Sequence, residues 1–273
     1  MGKRNTKNTD IHNDMKKALL FIFITFSISW SLWFLIPNVV IQMIGSCMPS
    51  IIGFFFLRSD KSGTYKGYGR RLINFKSIRL TWGFIILLII PLIALISFTI
   101  QKISGGDVSS SDTFMQNLRN PVQMLVIALL GLGAGFGEEL GWRGFLLDTF
   151  QKYWSGLTSG IVTGVIWAAW HIPLALKNKQ SLFSLDFINY SVFVILISVL
   201  ITVIYNNNNR SILSAILLHC MVNFTIGMAP VPIGENVIRT ICLLIILIVM
   251  ILVCKSKSSI TLNQSKTQKQ VNS

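Results

Sequence analysis

Apolar residues in this chain come in unbroken runs of about 20, parted by short polar breaks, rather than in the alternation of a half-buried strand or the stripe of a surface helix. Each run is long enough to cross roughly 30 Å of hydrocarbon as a helix. Eight spans are predicted, at about 18–36, 39–57, 80–100, 121–137 and beyond, 157–175, 187–205, 211–228 and 237–254. Only Pro37-Asn38 separates the first two, so that boundary rests on a single turn signal. The predicted fold class is all-α: a polytopic membrane protein of about eight transmembrane helices, with no stretch left over for a separate soluble domain.

Composition agrees with the pattern. The chain is 52% hydrophobic and 12% charged, with a mean hydropathy of +0.63, which a soluble domain of 273 residues could carry only by exposing large apolar patches. The formal charge of +14 would suit nucleic acid, but the bases sit where topology puts them. Segment 58–79 holds Arg58, Lys61, Lys66, Arg70, Arg71, Lys76 and Arg79 against Asp60 alone, whereas 101–120 balances Lys102 and Arg119 with Asp107 and Asp112. The positive-inside rule then places 58–79 and both termini in the cytoplasm of a multi-pass cell-membrane protein, with lipid as its surroundings and no nucleic-acid partner. The domain plan is a basic N-terminal tail at 1–17, one helical domain at 18–254, and a polar, disordered C-terminal tail at 255–273. Cys47, Cys220, Cys242 and Cys254 form no CxxC pair and read as small buried hydrophobes.

A few polar residues stand where lipid should forbid them. Glu138 and Glu139 end the apolar run 124–137, and Arg143 follows Glu139 by four, the spacing at which an acid and a base share one helix face. Glu138 is turned about 100° from its neighbour and is left for other work. His171 closes the sequence Trp167-Ala168-Ala169-Trp170-His171, and His219 precedes Asn223 by one helical turn. Each group has a plainer reading: neutralisation of Arg143, an interfacial aromatic belt, and helix packing. The three gain weight together. Trp154-Ser155-Gly156 lies midway between Glu138 and His171, so a helical hairpin turning there sets both at one height, which His219 also reaches on its own helix.

Brought together, these residues have the parts for amide hydrolysis. Withdrawal from water makes Glu138 a stronger base toward a water molecule, His171 can share that water or pass a proton to a leaving amine, and His219 with Asn223 offers N–H donors to a carbonyl oxygen gathering charge. Glu138, His171 and His219 equally make a two-imidazole, one-carboxylate zinc set with an open position, and spacing alone does not choose between the schemes. An ion-coupled transporter would also bury glutamate and histidine, but its repeated halves or broken helix are not visible. A non-catalytic immunity or scaffolding protein would keep the fold and use the site for packing.

The motifs EExxxR (Glu138, Glu139, Arg143), aromatic-xxxH (Trp167, His171) and HxxxN (His219, Asn223) resemble in order and spacing those of the Abi or CPBP family of membrane proteins, to which the type II CAAX prenyl endopeptidases belong. The match covers about 122–228. The resemblance implies an eight-helix intramembrane endopeptidase, glutamate-type or metal-assisted. Glu138 and His171 would activate water, His219 and Asn223 would hold the oxyanion, and Glu139, Arg143 and Trp167 would support them. Trp167 departs from the phenylalanine common at its position and keeps an aromatic wall. The family includes prenyl-protein processors, bacteriocin-immunity proteins and peptide processors, so the implied substrate is a membrane-associated peptide or protein tail.

Overall fold

A backbone crossing lipid must satisfy its own N–H and C=O groups, and the apolar runs do so as helices. The computed structural model describes residues 2–36, 38–59, 67–106, 110–177, 181–229 and 236–271, with side chains described only from 10 to 254 and not at 110–111. The described residues contain no strand. In chain order the helices are α1 (Gly2–Leu35), α2 (Val39–Arg58), α3 (Tyr68–Ile73), α4 (Leu80–Ile103), α5 (Ser110–Leu118), α6 (Pro121–Glu139), a π-helical segment (Leu140–Leu147), α7 (Asp148–Phe150), α8 (Gly156–Trp170), α9 (Ile172–Lys177), α10 (Leu185–Asn207), α11 (Ile212–Met228) and α12 (Val237–Val271).

Among the described residues, seven helical rods are long and apolar enough to span a membrane, and α11 is a shorter eighth. This is the polytopic all-α architecture that the apolar runs predict. Both terminal helices run on into the segments assigned to tails, α12 continuing to Val271 through the segment expected to be disordered; the side chains of 1–9 and 255–273 lie outside the described residues. One boundary moves. The span predicted to end at about 205 runs later, because α10 continues through Asn207 and the chain reverses over Asn208–Ser211 with Asn209 and Arg210 both left-handed (φ 54° and 55°).

The spans are not equivalent. In α10, 61% of the most apolar window is buried inside the protein, against 28% in α4 and 22% in α2, so α10 runs through the centre while α2 and α4 lie at the periphery. α8 and α11 pack beside it and α6 packs along α11. Two glycines set the spacing around the future site. A Cβ on Gly135 would stand 2.9 Å from the Ile216 carbonyl oxygen, so its absence draws α6 onto α11. A Cβ on Gly141 would stand 2.1 Å from the Pro49 carbonyl oxygen, so only glycine lets the π-helical segment lie against α2. The rod from Pro121 to Phe150 thus carries Glu138 and Glu139 at the junction of its α and π geometries, the kind of ladder defect that often marks a functional position.

Candidate active site

Glu138 and Glu139, side by side at the end of α6, look in different directions and meet different partners. Both are buried. Glu139 Oε1 accepts from Arg143 Nη1 at 2.9 Å, the i,i+4 pair read from spacing, and also from His219 Nδ1 at 2.7 Å. Glu138 Oε2 accepts from the indole N–H of Trp167 at 2.7 Å and, more weakly, from that of Trp142 at 3.4 Å. Glu138 Oε1 makes no hydrogen bond to a described residue.

The opposite walls come from α8, α10 and α11. Ser155 caps α8, and the helix ends at His171 with Pro173 following in α9. His171 Nδ1 lies 2.9 Å from the Trp167 carbonyl oxygen. A carbonyl can only accept, so Nδ1 carries the hydrogen and the neutral ring presents the Nε2 lone pair. In His219 the Nδ1 position is taken by Glu139, leaving Nε2 free of that pair: a lone pair when the ring is neutral, an N–H donor when it is charged. Trp167 separates the parts. Its ring stands 5.2 Å from His219 and 5.8 Å from His171 between centroids, and the Arg143 guanidinium lies 4.9 Å over its face, a cation–π contact that offsets some of that cation's burial.

Glu138, Trp167, His171, His219 and Asn223 line a single cavity of about 100 Å³, completed by Tyr190, Phe193, Val194, Ile197, Val222 and Ile226. That is several times the room one water needs. The structure therefore brings together, from three helices, the four residues to which the sequence reading gave catalytic roles. Glu139 and Arg143 stand behind His219 rather than in the cavity, and Trp167, expected as a wall, is also a donor to Glu138.

The residues considered for a metal, Glu138, His171 and His219, line this same cavity. Among the described residues no three of His, Cys, Asp and Glu are grouped to hold an ion, while the Nδ1 contacts of His171 and His219 leave each Nε2 out of those bonds.

Sequence reasoning missed several contributors. Trp142 follows Glu138 by four, the same spacing that revealed the Glu139–Arg143 pair, so its indole was within reach of that rule. Tyr190, whose ring packs edge-on to His171 at 5.8 Å, gave no local signal. Asp148 has no role in the sequence reading. It is buried at the far end of the π-helical segment and binds Arg71 at 2.9 Å, the Tyr205 hydroxyl at 2.7 Å and the Tyr68 hydroxyl at 3.3 Å.

A bundle of membrane-spanning helices around a buried glutamate–histidine cavity has the parts an intramembrane protease needs. Comparison with known proteins points the same way. Residues 120–225 match the family model described as type II CAAX prenyl endopeptidase, Rce1-like. The chain is also 26% identical over 251 residues, 85% of its own length and 92% of the relative's, to CAAX prenyl protease 2 of Methanococcus maripaludis. The chain is thus similar, over its core and along most of its length, to membrane proteases of this type.

Proposed function

We propose that this chain hydrolyses a peptide bond in a membrane-associated peptide or protein tail, using a water molecule activated by Glu138 and His171. What carries the reading is the meeting of Glu138, His171, His219 and Asn223 in one cavity with room for water and a peptide carbonyl. Glu138 Oε1 takes a proton from the water as its oxygen bonds to the carbonyl carbon, and the carbonyl π electrons move to oxygen. His219 Nε2–H and the Asn223 amide donate to that oxyanion. Collapse re-forms the carbonyl and breaks the C–N bond, while the proton held by Glu138, or one relayed through His171 Nε2, passes to the leaving amine. Glu139 and Arg143 are positioning residues, since they act through the His219 ring. The two indoles fix Glu138 so that Oε1 rather than Oε2 meets the water.

The relative named for acting on CAAX prenyl proteins makes a lipid-modified C-terminal tail the first substrate to try. The basic segment 58–79 supports both termini lying in the cytoplasm. In proteoliposomes, Glu138→Gln and His219→Ala are expected to lower cleavage of such a tail at least about 10²-fold, the scale of losing a general base or an oxyanion donor. Folded yield should be unchanged for Glu138→Gln. Cleavage by both variants at the wild-type rate would overturn the proposal. Chelation is expected to leave the rate unchanged; loss restored by zinc would move water activation to a metal.

A further inference from the structure

The mechanism above leaves one polar group of the reaction cavity without work. α10 presents Tyr190, Phe193, Val194 and Ile197 to that cavity, an i, i+3, i+4, i+7 stripe that makes one face of the helix a wall. Three of the four are apolar, as packing inside a bundle would have them. The fourth brings a hydroxyl. A buried tyrosine ordinarily ties its O–H to a partner, yet the Tyr190 hydroxyl bonds to no described residue, and its oxygen is not sealed among neighbouring atoms.

The surroundings hold that hydroxyl at the site. Ser184 caps α10 by accepting from the Phe187 N–H, and one turn on the Phe187 ring stacks with that of Tyr190 at 6.3 Å. The Tyr190 ring also stands edge-on to His171, with centroids 5.8 Å apart and planes at 79°. Held by these two rings, the phenol lies within electrostatic reach of the Glu138 carboxylate. Glu138 Oε2 already has its two indoles, and the neutral His171 ring presents a lone pair rather than a hydrogen. A phenol keeps its proton throughout the working pH range, so Tyr190 is a donor where Glu138 and His171 are acceptors.

Resting on the endopeptidase reading above, we propose that the Tyr190 hydroxyl is a third donor to the oxyanion, beside His219 and Asn223, and so a catalytic residue. In a cavity of about 100 Å³, a carbonyl seated against His219 and Asn223 is in reach of the α10 wall as well. As the water oxygen bonds to the carbonyl carbon and the π electrons move to the carbonyl oxygen, the phenolic O–H turns toward the charge gathering there. Tyr190 keeps its proton, and the water's proton still goes to Glu138. The donation strengthens as charge develops, so it acts on the transition state more than on the bound peptide. It differs in kind from that of His219, which donates from Nε2 only when its ring is charged.

Tyr190→Phe removes the oxygen and keeps both ring contacts, so folded yield and melting temperature should match wild type. The substrate is a synthetic peptide ending in an S-farnesylated cysteine and three further residues, cleaved by the full chain in detergent micelles. kcat is expected to fall at least about tenfold with KM unchanged, the signature of a bond made in the transition state. The same fall is expected when a thioester replaces the scissile amide. An unchanged kcat, or a rise in KM alone, overturns the assignment. So does a fall confined to the amide, since a thiolate leaves without a proton and the hydroxyl would then be serving the leaving amine. A trifluoromethyl ketone built on the same farnesylated cysteine, whose hydrate copies the tetrahedral intermediate, separates these failures from that of the reading beneath them. If wild type cleaves neither substrate, the endopeptidase reading fails for such tails, while ketone binding at least about tenfold weaker in Tyr190→Phe still supports the third donor and equal binding refutes it.

Discussion

The π-helical segment carries a charged cluster at each end, and the two are built on opposite terms. At the inner end Glu139, Arg143 and His219 have side chains 0%, 0% and 5% exposed, and their bonding is incomplete: Glu139 Oε2 and Arg143 Nε and Nη2 lack partners. At the outer end both carboxylate oxygens of Asp148 are used by Tyr68, Arg71 and Tyr205, with Arg210 3.6 Å away, and the arginines reach solvent at 21% and 48% exposure. Tyr205 joins the clusters, its hydroxyl lying 3.3 Å from the Arg143 carbonyl and 2.7 Å from Asp148, and it also receives a hydrogen bond from Arg71. A dry, under-satisfied pair holds one geometry because no alternative exists for it. A saturated pair with access to water acts as a clamp that can be loosened. The site is hung on the first and fastened to the rest of the fold by the second.

The sharpest way to break the comparison is to remove one member of the dry pair. Arg143→Met keeps volume but strands Glu139, and the cost of an uncompensated buried charge is about 3–5 kcal/mol. Folded yield and melting temperature in detergent should both fall, and the loss should not depend on added salt because no solvent reaches the pair. Wild-type yield and melting would show that Glu139 is held by His219 alone.

This difference between the clusters also decides what could be read from the chain beforehand. The spans and the all-α architecture were legible because lipid imposes one rule on every apolar run. Glu139 with Arg143 was legible because both lie on one helix at a spacing fixed by its pitch. The bond between Glu139 and His219 joins residues 80 apart, and that between Asp148 and Arg71 residues 77 apart; both depend on how rods pack, which hydropathy does not encode. Packing itself left a partial trace in Gly135 and Gly141, yet which helix each glycine faces appears only in three dimensions. The late end of α10 was hidden for another reason: a run of asparagines signals a turn, but Asn207 can bond back to the Val203 carbonyl and keep the helix going.

A smaller effect is expected at the wet end. Asp148→Asn keeps an acceptor for Tyr205 but takes the negative charge from between Arg71 and Arg210. About 1–2 kcal/mol should go, as for a partly screened, hydrogen-bonded ion pair. The signature is salt. The screening length falls from about 10 Å at 0.1 M to about 3 Å at 1 M, so the gap between variant and wild type should narrow across that range. Melting curves at both salt concentrations measure it, and a gap that stays constant would place Asp148 with the dry cluster.

The smallest change at neutral pH should come from Tyr68→Phe, since the bond lost is a long one, 3.3 Å, worth about 0.5 kcal/mol. Its pH dependence is more telling. Burial, and then the negative charge of Asp148, push the Tyr68 phenol up to about 12, above its ordinary value of 10, with Arg71 pulling the other way. A raised value means the folded protein holds the phenolic proton more tightly than the unfolded chain does. The stability linked to that proton is therefore fully present below pH 10 and is lost as pH climbs toward 12. Wild type should lose melting temperature through that window, and Tyr68→Phe, with no proton to lose there, should show a shallower fall. Parallel curves would mean the alkaline loss belongs to other groups, and that the outer cluster excludes water as thoroughly as the inner one.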